Sequence, residues 1–182
     1  MSLGLAVGAL GGLGDLRDFG GLEGLDLGRA AAAGFFATVL MTLVFSASQG
    51  MGLSRISLPF LLGSVFTPDR NRANVVGFVL HFLNGWLLSL LYALGLTLLG
   101  RSSWWLGGLF GLVHGLFVLT ALMPLLPSFH PRMASEDDGP TPTRQLEPPG
   151  FLARNYGRRT PWIALVAHLA YGVLFGALYS RP

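Results

Sequence analysis

Four long stretches of the chain contain no Asp, Glu, Lys or Arg. They lie between Arg29 and Arg55, between Arg72 and Arg101, between Arg101 and Arg132, and between Arg159 and Arg181. Each stretch is long enough for the roughly 20 apolar residues that cross a bilayer as a helix. Only 12% of the residues are charged, whereas soluble domains carry about 25%. The pattern predicts an all-α membrane four-helix bundle, with spans at about 30–50, 74–99, 104–126 and 161–180.

Two of these spans resemble each other, in the segments 77–93 and 164–180. In both segments small residues and one histidine recur at every fourth position. The aligned pairs are His81 and His168, Gly85 and Gly172, and Tyr92 and Tyr179. A weaker match relates the first span to the third. Because residues four apart share one helix face, the repeat predicts a tandem duplication of a two-helix unit.

Ridges of small residues follow the same spacing in every span. In lipid, small side chains let helix backbones approach closely, and hydroxyl groups bond across the contact. The first span carries such a ridge from Gly34 to Gly50, and the third carries a GxxxGxxxG motif. We expect the ridges to form helix contacts. The glycines concerned are Gly77, Gly85, Gly107, Gly111, Gly115, Gly172 and Gly176.

The connections differ in length and composition. Residues 1–28 form a Gly/Leu-rich segment, expected to be a flexible tail before the transmembrane domain 29–182. Residues 55–66 are apolar but too short to span and contain Pro59, which predicts an interfacial or re-entrant half-helix. Met123-Pro124 and Pro127 are expected to end the third helix. The long polar loop 127–159 has an acidic, Pro-rich centre, 135–150, that is expected to be largely disordered.

The arginines predict an orientation. The tail, the short turn and the C-terminus carry Arg17, Arg29, Arg101 and Arg181, whereas loops 52–73 and 127–159 carry Arg55, Arg70, Arg72, Arg132, Arg144, Arg154, Arg158 and Arg159. Basic residues favour the cytoplasmic side, which predicts a multi-pass cell-membrane protein with both termini outside. Because the arginines flank apolar spans, the high pI does not indicate nucleic-acid binding.

Three of these arginines precede the fourth span directly. Arg154, Arg158 and Arg159 lie close in sequence to Tyr156 and Trp162. Basic and aromatic residues at a membrane interface can hold anionic lipid headgroups. Ordinary topology charge explains the same cluster equally well.

Polar residues inside the spans are few, and they form the candidate site. The expected intramembrane cluster consists of His81, His114, His168, Thr38, Thr42 and Asn84. Two imidazoles facing each other across a bundle can ligate a haem, so His81 and His168 are candidate ligands of haem b. The alternative is that neutral histidines hydrogen-bond neighbouring helices. We expect both to point inward, with Thr38, Thr42 and His114 as partners.

The inventory of reactive groups restricts the function classes. The spans contain no Asp or Glu, which disfavours a proton- or cation-coupled transporter. The absence of cysteine excludes disulfides and thiolate metal sites. No nucleophile and base stand at a sequence spacing that indicates a hydrolase. The favoured hypothesis is a non-enzymatic packing, assembly or accessory membrane protein, in a homo-oligomer or larger complex. A bis-histidine haem b electron-transfer protein and a small-solute transporter or channel remain alternatives.

The segments GLVHGLFVLTALMPLLPSFHP, HFLNGWLLSLLYAL and AHLAYGVLFGALY together resemble small bacterial four-helix integral membrane proteins of unknown function. The resemblance covers about Arg29–Tyr179. It implies an integral membrane protein, no known activity and no catalytic residues that can be transferred to this chain.

Overall fold

The computed structural model describes residues 24–135, 137–144 and 146–180. Within them all regular structure is helical: α1 Leu27–Gly50, α2 Leu58–Gly63, α3 Arg70–Leu98, α4 Trp104–Phe117, a π-helical turn Val118–Leu122, α5 Met123–Phe129, a 3₁₀ segment Phe151–Tyr156 and α6 Thr160–Tyr179. Residues 1–23 of the predicted tail lie outside the described residues. The description begins with the turn before α1.

Four helical segments are long and apolar enough to cross a membrane, namely α1, α3, the continuous run Trp104–Phe129, and α6. The all-α membrane bundle predicted from the charge-free stretches is confirmed at this level. Caps explain where α1 and α3 begin, three to four residues before the predicted spans. Asp26 accepts a hydrogen bond from the Arg29 amide at 2.9 Å, and Asp69 accepts one from the Arg72 amide at 2.8 Å.

The third spanning segment does not end before Pro127, at about residue 126, as we expected, but continues through Pro124 and Pro127 to Phe129. A π-helical turn precedes the first proline, and in it the Met123 amide bonds the Val118 carbonyl. A proline normally clashes with the carbonyl four residues earlier and removes one backbone bond. The wider π turn changes the hydrogen-bond register just before Pro124, so the helix passes through both prolines.

Small-residue ridges hold neighbouring helices together inside the bundle. A Cβ on Gly85 of α3 would overlap the side chain of Thr38 on α1. Between α4 and α6 the contact is backbone to backbone, because a Cβ on Gly107 would overlap the Gly172 carbonyl, and one on Gly111 would overlap the His168 carbonyl. The ridges therefore lie at contacts within one chain, with α3 on α1, α1 on α6 and α6 on α4.

The two ends of the bundle gather different connections. At one end, which we call the turn end, the Arg29 guanidinium donates to the Ser180 carbonyl at 2.8 Å, and Thr97 pairs with the Tyr179 hydroxyl at 3.1 Å. At the opposite end, the loop end, the Ser54 and Thr160 hydroxyls lie 2.8 Å apart. The described beginning and end of the chain therefore meet at the same end of the bundle.

The loop 127–159 is folded onto the loop end in its described residues, although we expected its centre to be largely disordered. Met133 and Leu146 form a β-bridge, and Met133 is buried. Tyr156 is also buried, and its hydroxyl donates to the Glu147 carbonyl at 2.6 Å. The proline-rich composition predicted disorder because ordering such a segment costs conformational entropy. Here buried apolar side chains and backbone hydrogen bonds to the bundle compensate for that cost.

The short helix α2 packs tightly against α3. A Cβ on Gly63 would overlap the Ala73 carbonyl, and one on Gly77 would overlap the Pro59 carbonyl. Pro59 lies in the first turn of α2, where its missing amide hydrogen leaves no helical bond unmade. Ser57 caps this turn through the Phe60 amide. The two glycines thus bring α2 against the loop-end part of α3.

Candidate functional site: an intramembrane cavity

A cavity of about 170 Å³ lies inside the bundle. Residues from α1, α2, α3, α4, the π-helical turn, α5 and α6 line it, and most of these side chains are apolar. All four histidines of the chain belong to this lining: His81, His114, His130 and His168. A mostly apolar cavity with a few polar groups is the usual composition of a small-molecule site.

Aromatic rings fill the bundle on the turn-end side of the cavity. The Tyr92 ring lies 5.3 Å from the Tyr171 ring, 5.6 Å from Phe175 and 5.8 Å from Phe110, each in an edge-to-face arrangement. The Tyr171 hydroxyl donates to the Gly85 carbonyl at 2.8 Å and so joins α6 to α3. This packing gives the cavity a rigid floor, since both rings and backbone are fixed.

At the loop end, α2 and the end of α5 form the roof of the cavity. His130 follows α5, and its Nε2 donates to the Leu61 carbonyl at 2.9 Å. Its Nδ1 accepts the Arg132 amide at 3.2 Å, so both ring nitrogens are used. The Arg132 guanidinium also donates to the Val65 carbonyl at 2.9 Å. His130 therefore serves to fasten α2 to the chain after α5.

Three residues of the cavity lining are exposed at the surface of the bundle. They are Val65, which follows α2 at the loop end, Asn84 on α3 and Leu122 on the π-helical turn. Asn84 and Leu122 lie inside the segments that are long and apolar enough to span a membrane. We call the part of the lining formed by these two residues the opening.

His81 approaches the cavity from α3. Its Nε2 lies 3.1 Å from Thr42 Oγ1 on α1, and Thr42 Oγ1 donates its own hydrogen to the Thr38 carbonyl at 2.7 Å. The hydroxyl oxygen is thus the acceptor, and His81 Nε2 is the donor. A neutral His81 therefore has an unprotonated Nδ1.

His168 approaches from α6, next to His114 of α4. Its Nδ1 donates to the Ala164 carbonyl at 2.7 Å, so a neutral His168 has an unprotonated Nε2. The rings of His114 and His168 are perpendicular, with centroids 4.7 Å apart. His114 Nδ1 lies 3.2 Å from the Tyr92 hydroxyl. The two histidines thus connect α6, α4 and α3 around one side of the cavity.

No family model, curated protein or solved structure matches the chain. The resemblance to small bacterial four-helix membrane proteins accordingly stays a prediction. The case for a function therefore depends on the geometry of the cavity and on the chemistry of the side chains that line it.

The cavity does not fit a haem. Its volume of about 170 Å³ is close to that of an engineered cavity of about 150 Å³ that binds benzene, so a tetrapyrrole has no room between His81 and His168. Among the described residues, no group of three or more His, Asp or Glu side chains is placed to share a metal ion. Both histidines also use one nitrogen to hold a neighbouring helix or their own backbone.

The structure brings most of the predicted polar cluster together, but its members differ in whether they border the cavity or bond a residue that does. His81, His114 and His168 surround the cavity, Thr42 bonds His81, and Thr38 packs one turn away against Gly85. Asn84 lies at the opening. The sequence analysis missed Tyr171, which aligns with Asn84 in the repeat and follows no motif.

The predicted headgroup arginines lie apart from the cavity, at the loop end. Arg154, Arg158 and Arg159 are exposed, and the first two border a surface pocket of about 410 Å³ together with Trp162. Within the described part of the chain, the ion pairs involve other arginines. All three arginines are thus exposed, and two of them lie beside the exposed indole ring of Trp162.

Proposed function

We propose that this integral membrane protein binds a small, mainly apolar molecule, which enters from the bilayer through the side of the bundle. The observation that carries this proposal is the cavity of about 170 Å³, which is apolar over most of its lining and includes the exposed residues Asn84 and Leu122 within the spanning segments. Apolar walls with a few fixed polar groups favour a molecule of roughly the size of one aromatic ring. Binding rather than catalysis is the activity that this lining supports.

The assembly hypothesis loses its main support from the same structure. Its motivation was the number of glycine ridges, and the ridges of α3, α4 and α6 contact other helices of the same chain. A role in a larger complex would need a different surface.

The experiment measures the thermal stability of the purified protein in detergent, with and without toluene. A ligand that binds only the folded state at 100 times its Kd stabilises it by about 2.7 kcal/mol, which raises Tm by roughly 5–10 °C in a chain of this size. Leu88→Trp should abolish the toluene effect, because Leu88 lines the cavity and the indole would fill it.

The matched control is Leu87→Trp, on the same helix and one residue away. Leu87 is 65% exposed and does not line the cavity, so this variant should keep the full toluene effect. Equal toluene effects in the wild type and in Leu88→Trp would show that toluene acts elsewhere, and the proposal would be wrong. No toluene effect in the wild type would contradict it as well.

We also infer that the bundle arose by duplication of a two-helix unit. In support, His81 and Gly85 of α3 face α1, and His168 and Gly172 of α6 face α4. The histidine of each later helix thus lies next to the earlier helix of its own pair. In this scheme α2 is a re-entrant or interfacial addition between α1 and α3.

The proposed orientation places the loop end in the cytoplasm and both termini outside the cell membrane. The support is the distribution of arginine, since eight of the twelve arginines lie at the loop end, six in its connections and two in the first turn of α3. Of the arginines before α6, Arg154 and Arg158 border the surface pocket beside Trp162, and Arg159 is exposed next to them in sequence, so the three can contact anionic lipid headgroups.

A further inference from the structure

Two ring nitrogens of the cavity lining remain as unused hydrogen-bond acceptors. His81 donates through Nε2, and His168 donates through Nδ1. Within the described residues, the second nitrogen of each ring has no hydrogen-bond partner. Each of these nitrogens carries a lone pair and no hydrogen as long as its imidazole is neutral. A charged imidazolium at this depth in a bilayer would be costly, so neutral rings are expected.

Both lone pairs are accessible to a water-sized probe, and both rings line the cavity. Among the described residues, no side-chain nitrogen or oxygen is both sealed from a water-sized probe and without a partner. A small molecule can therefore reach His81 Nδ1 and His168 Nε2. Both rings are buried, and the cavity is the space that lies next to them. The Tyr171 hydroxyl donates its hydrogen to the Gly85 carbonyl, so its oxygen, too, can only accept a further hydrogen bond. Three acceptors from α3 and α6 thus surround one small space.

From this arrangement we infer the class of ligand: a neutral molecule with an apolar body about one ring in size and a hydroxyl or amide group that donates a hydrogen bond to His81 Nδ1 or His168 Nε2. The inference rests on the proposed function, because it assumes that the cavity binds. An acceptor left without a donor in an apolar site is destabilising. Ketones, ethers and hydrocarbons of equal size leave both lone pairs unpaired, whereas an alcohol or phenol satisfies one.

A cationic ligand fits less well than a neutral donor. An ammonium group would donate to the same nitrogens, but the spans contain no Asp or Glu that would balance its charge. Burying an unpaired charge in a low-dielectric site costs far more than one hydrogen bond returns. The Asn84 side chain at the opening can donate as well as accept a hydrogen bond. It can therefore bind a second polar group of the ligand, at the end that points toward the opening.

The test compares phenol, anisole and toluene, which share one ring and differ in the donor. Their dissociation constants are measured by thermal shift or isothermal titration on the full-length protein. The Leu88→Trp variant, whose cavity is filled, serves as the blank, and its signal corrects for partitioning of each molecule into the detergent. We expect phenol to bind about tenfold more tightly than toluene, the size of one net hydrogen bond, and anisole to bind no better than toluene. The preference should disappear in His168→Phe combined with His81→Phe.

A spectroscopic measurement on the wild type covers the case in which the histidine variants do not fold. In ¹⁵N-histidine NMR spectra, His81 and His168 should each show one unprotonated nitrogen, which shifts toward the hydrogen-bonded range when phenol is added but not when toluene is added. If all three molecules bind equally and no shift occurs, the cavity binds but the donor inference is overturned. If none of them binds, the proposed function itself fails.

Discussion

At the scale of single residues, Gly85 and Gly172 occupy aligned positions in the repeat but meet different surfaces. A Cβ on Gly85 would meet the Thr38 side chain, whereas one on Gly172 would meet the backbone of Gly107 and Gly111. Side chains can adjust to an added group more readily than helix backbones can. The same substitution should therefore be more damaging on α6 than on α3.

We accordingly predict that Gly85→Leu lowers stability by about 1–3 kcal/mol, the usual cost of overpacking, and that Gly172→Leu costs more. Thermal melting in one detergent measures both. Leu90→Phe and Leu178→Phe are the controls, because these side chains are 40% and 42% exposed and should tolerate a larger group. Four similar melting temperatures would mean that the ridges do not face the bundle interior.

At the scale of the elements, the loop 127–159 is held by a tyrosine that responds to pH. Burial and the neighbouring Glu147 carboxylate raise the pKa of Tyr156 to about 12, although the Arg55 guanidinium opposes the shift. Because the folded state holds this proton more firmly than the unfolded chain, the stabilisation is complete below pH 10 or so. It is lost as the pH rises through about 12.

The melting temperature should therefore fall between about pH 10 and pH 12 because Tyr156 loses its proton and its bond to the Glu147 carbonyl. Tyr156→Phe, which has no proton to lose, should be less stable at pH 8 and should show a weaker fall over the same range. Identical pH profiles of the two proteins would show that another group controls the alkaline transition.

The elements also show what sequence patterns capture. Charge-free stretches predict the four spans because a bilayer excludes charge, and the spacing of Gly85 and Gly172 predicts a packing face because small residues permit close approach. The passage through Pro124 was not predictable, since it depends on a π turn that no local motif announces. The cavity was not predictable either. It is a gap between helices, and Tyr171 borders it without belonging to any ridge.

At the scale of the whole molecule, the bundle has two chemically different ends. The loop end carries eight arginines among the described residues, six in its connections and two in the first turn of α3, whereas the turn end carries Arg29 and Arg101 among its described residues. The hydrogen bond from Arg29 to the Ser180 carbonyl holds the two described ends of the chain together. Both termini should consequently lie on one side of the membrane, the side with fewer arginines.

Single cysteines can test this orientation cleanly, because the natural chain contains none. In intact cells, a maleimide that does not cross membranes should label Ser180→Cys and Ser2→Cys from outside, and it should label Ser135→Cys only after the membrane is opened. Replacing Arg154, Arg158 and Arg159 together by Gln should weaken the charge difference between the two ends and so increase the fraction of inverted molecules. Labelling of Ser135→Cys alone in intact cells would reverse the proposed orientation, and labelling of Ser2→Cys and Ser180→Cys from opposite sides would contradict the four-span topology.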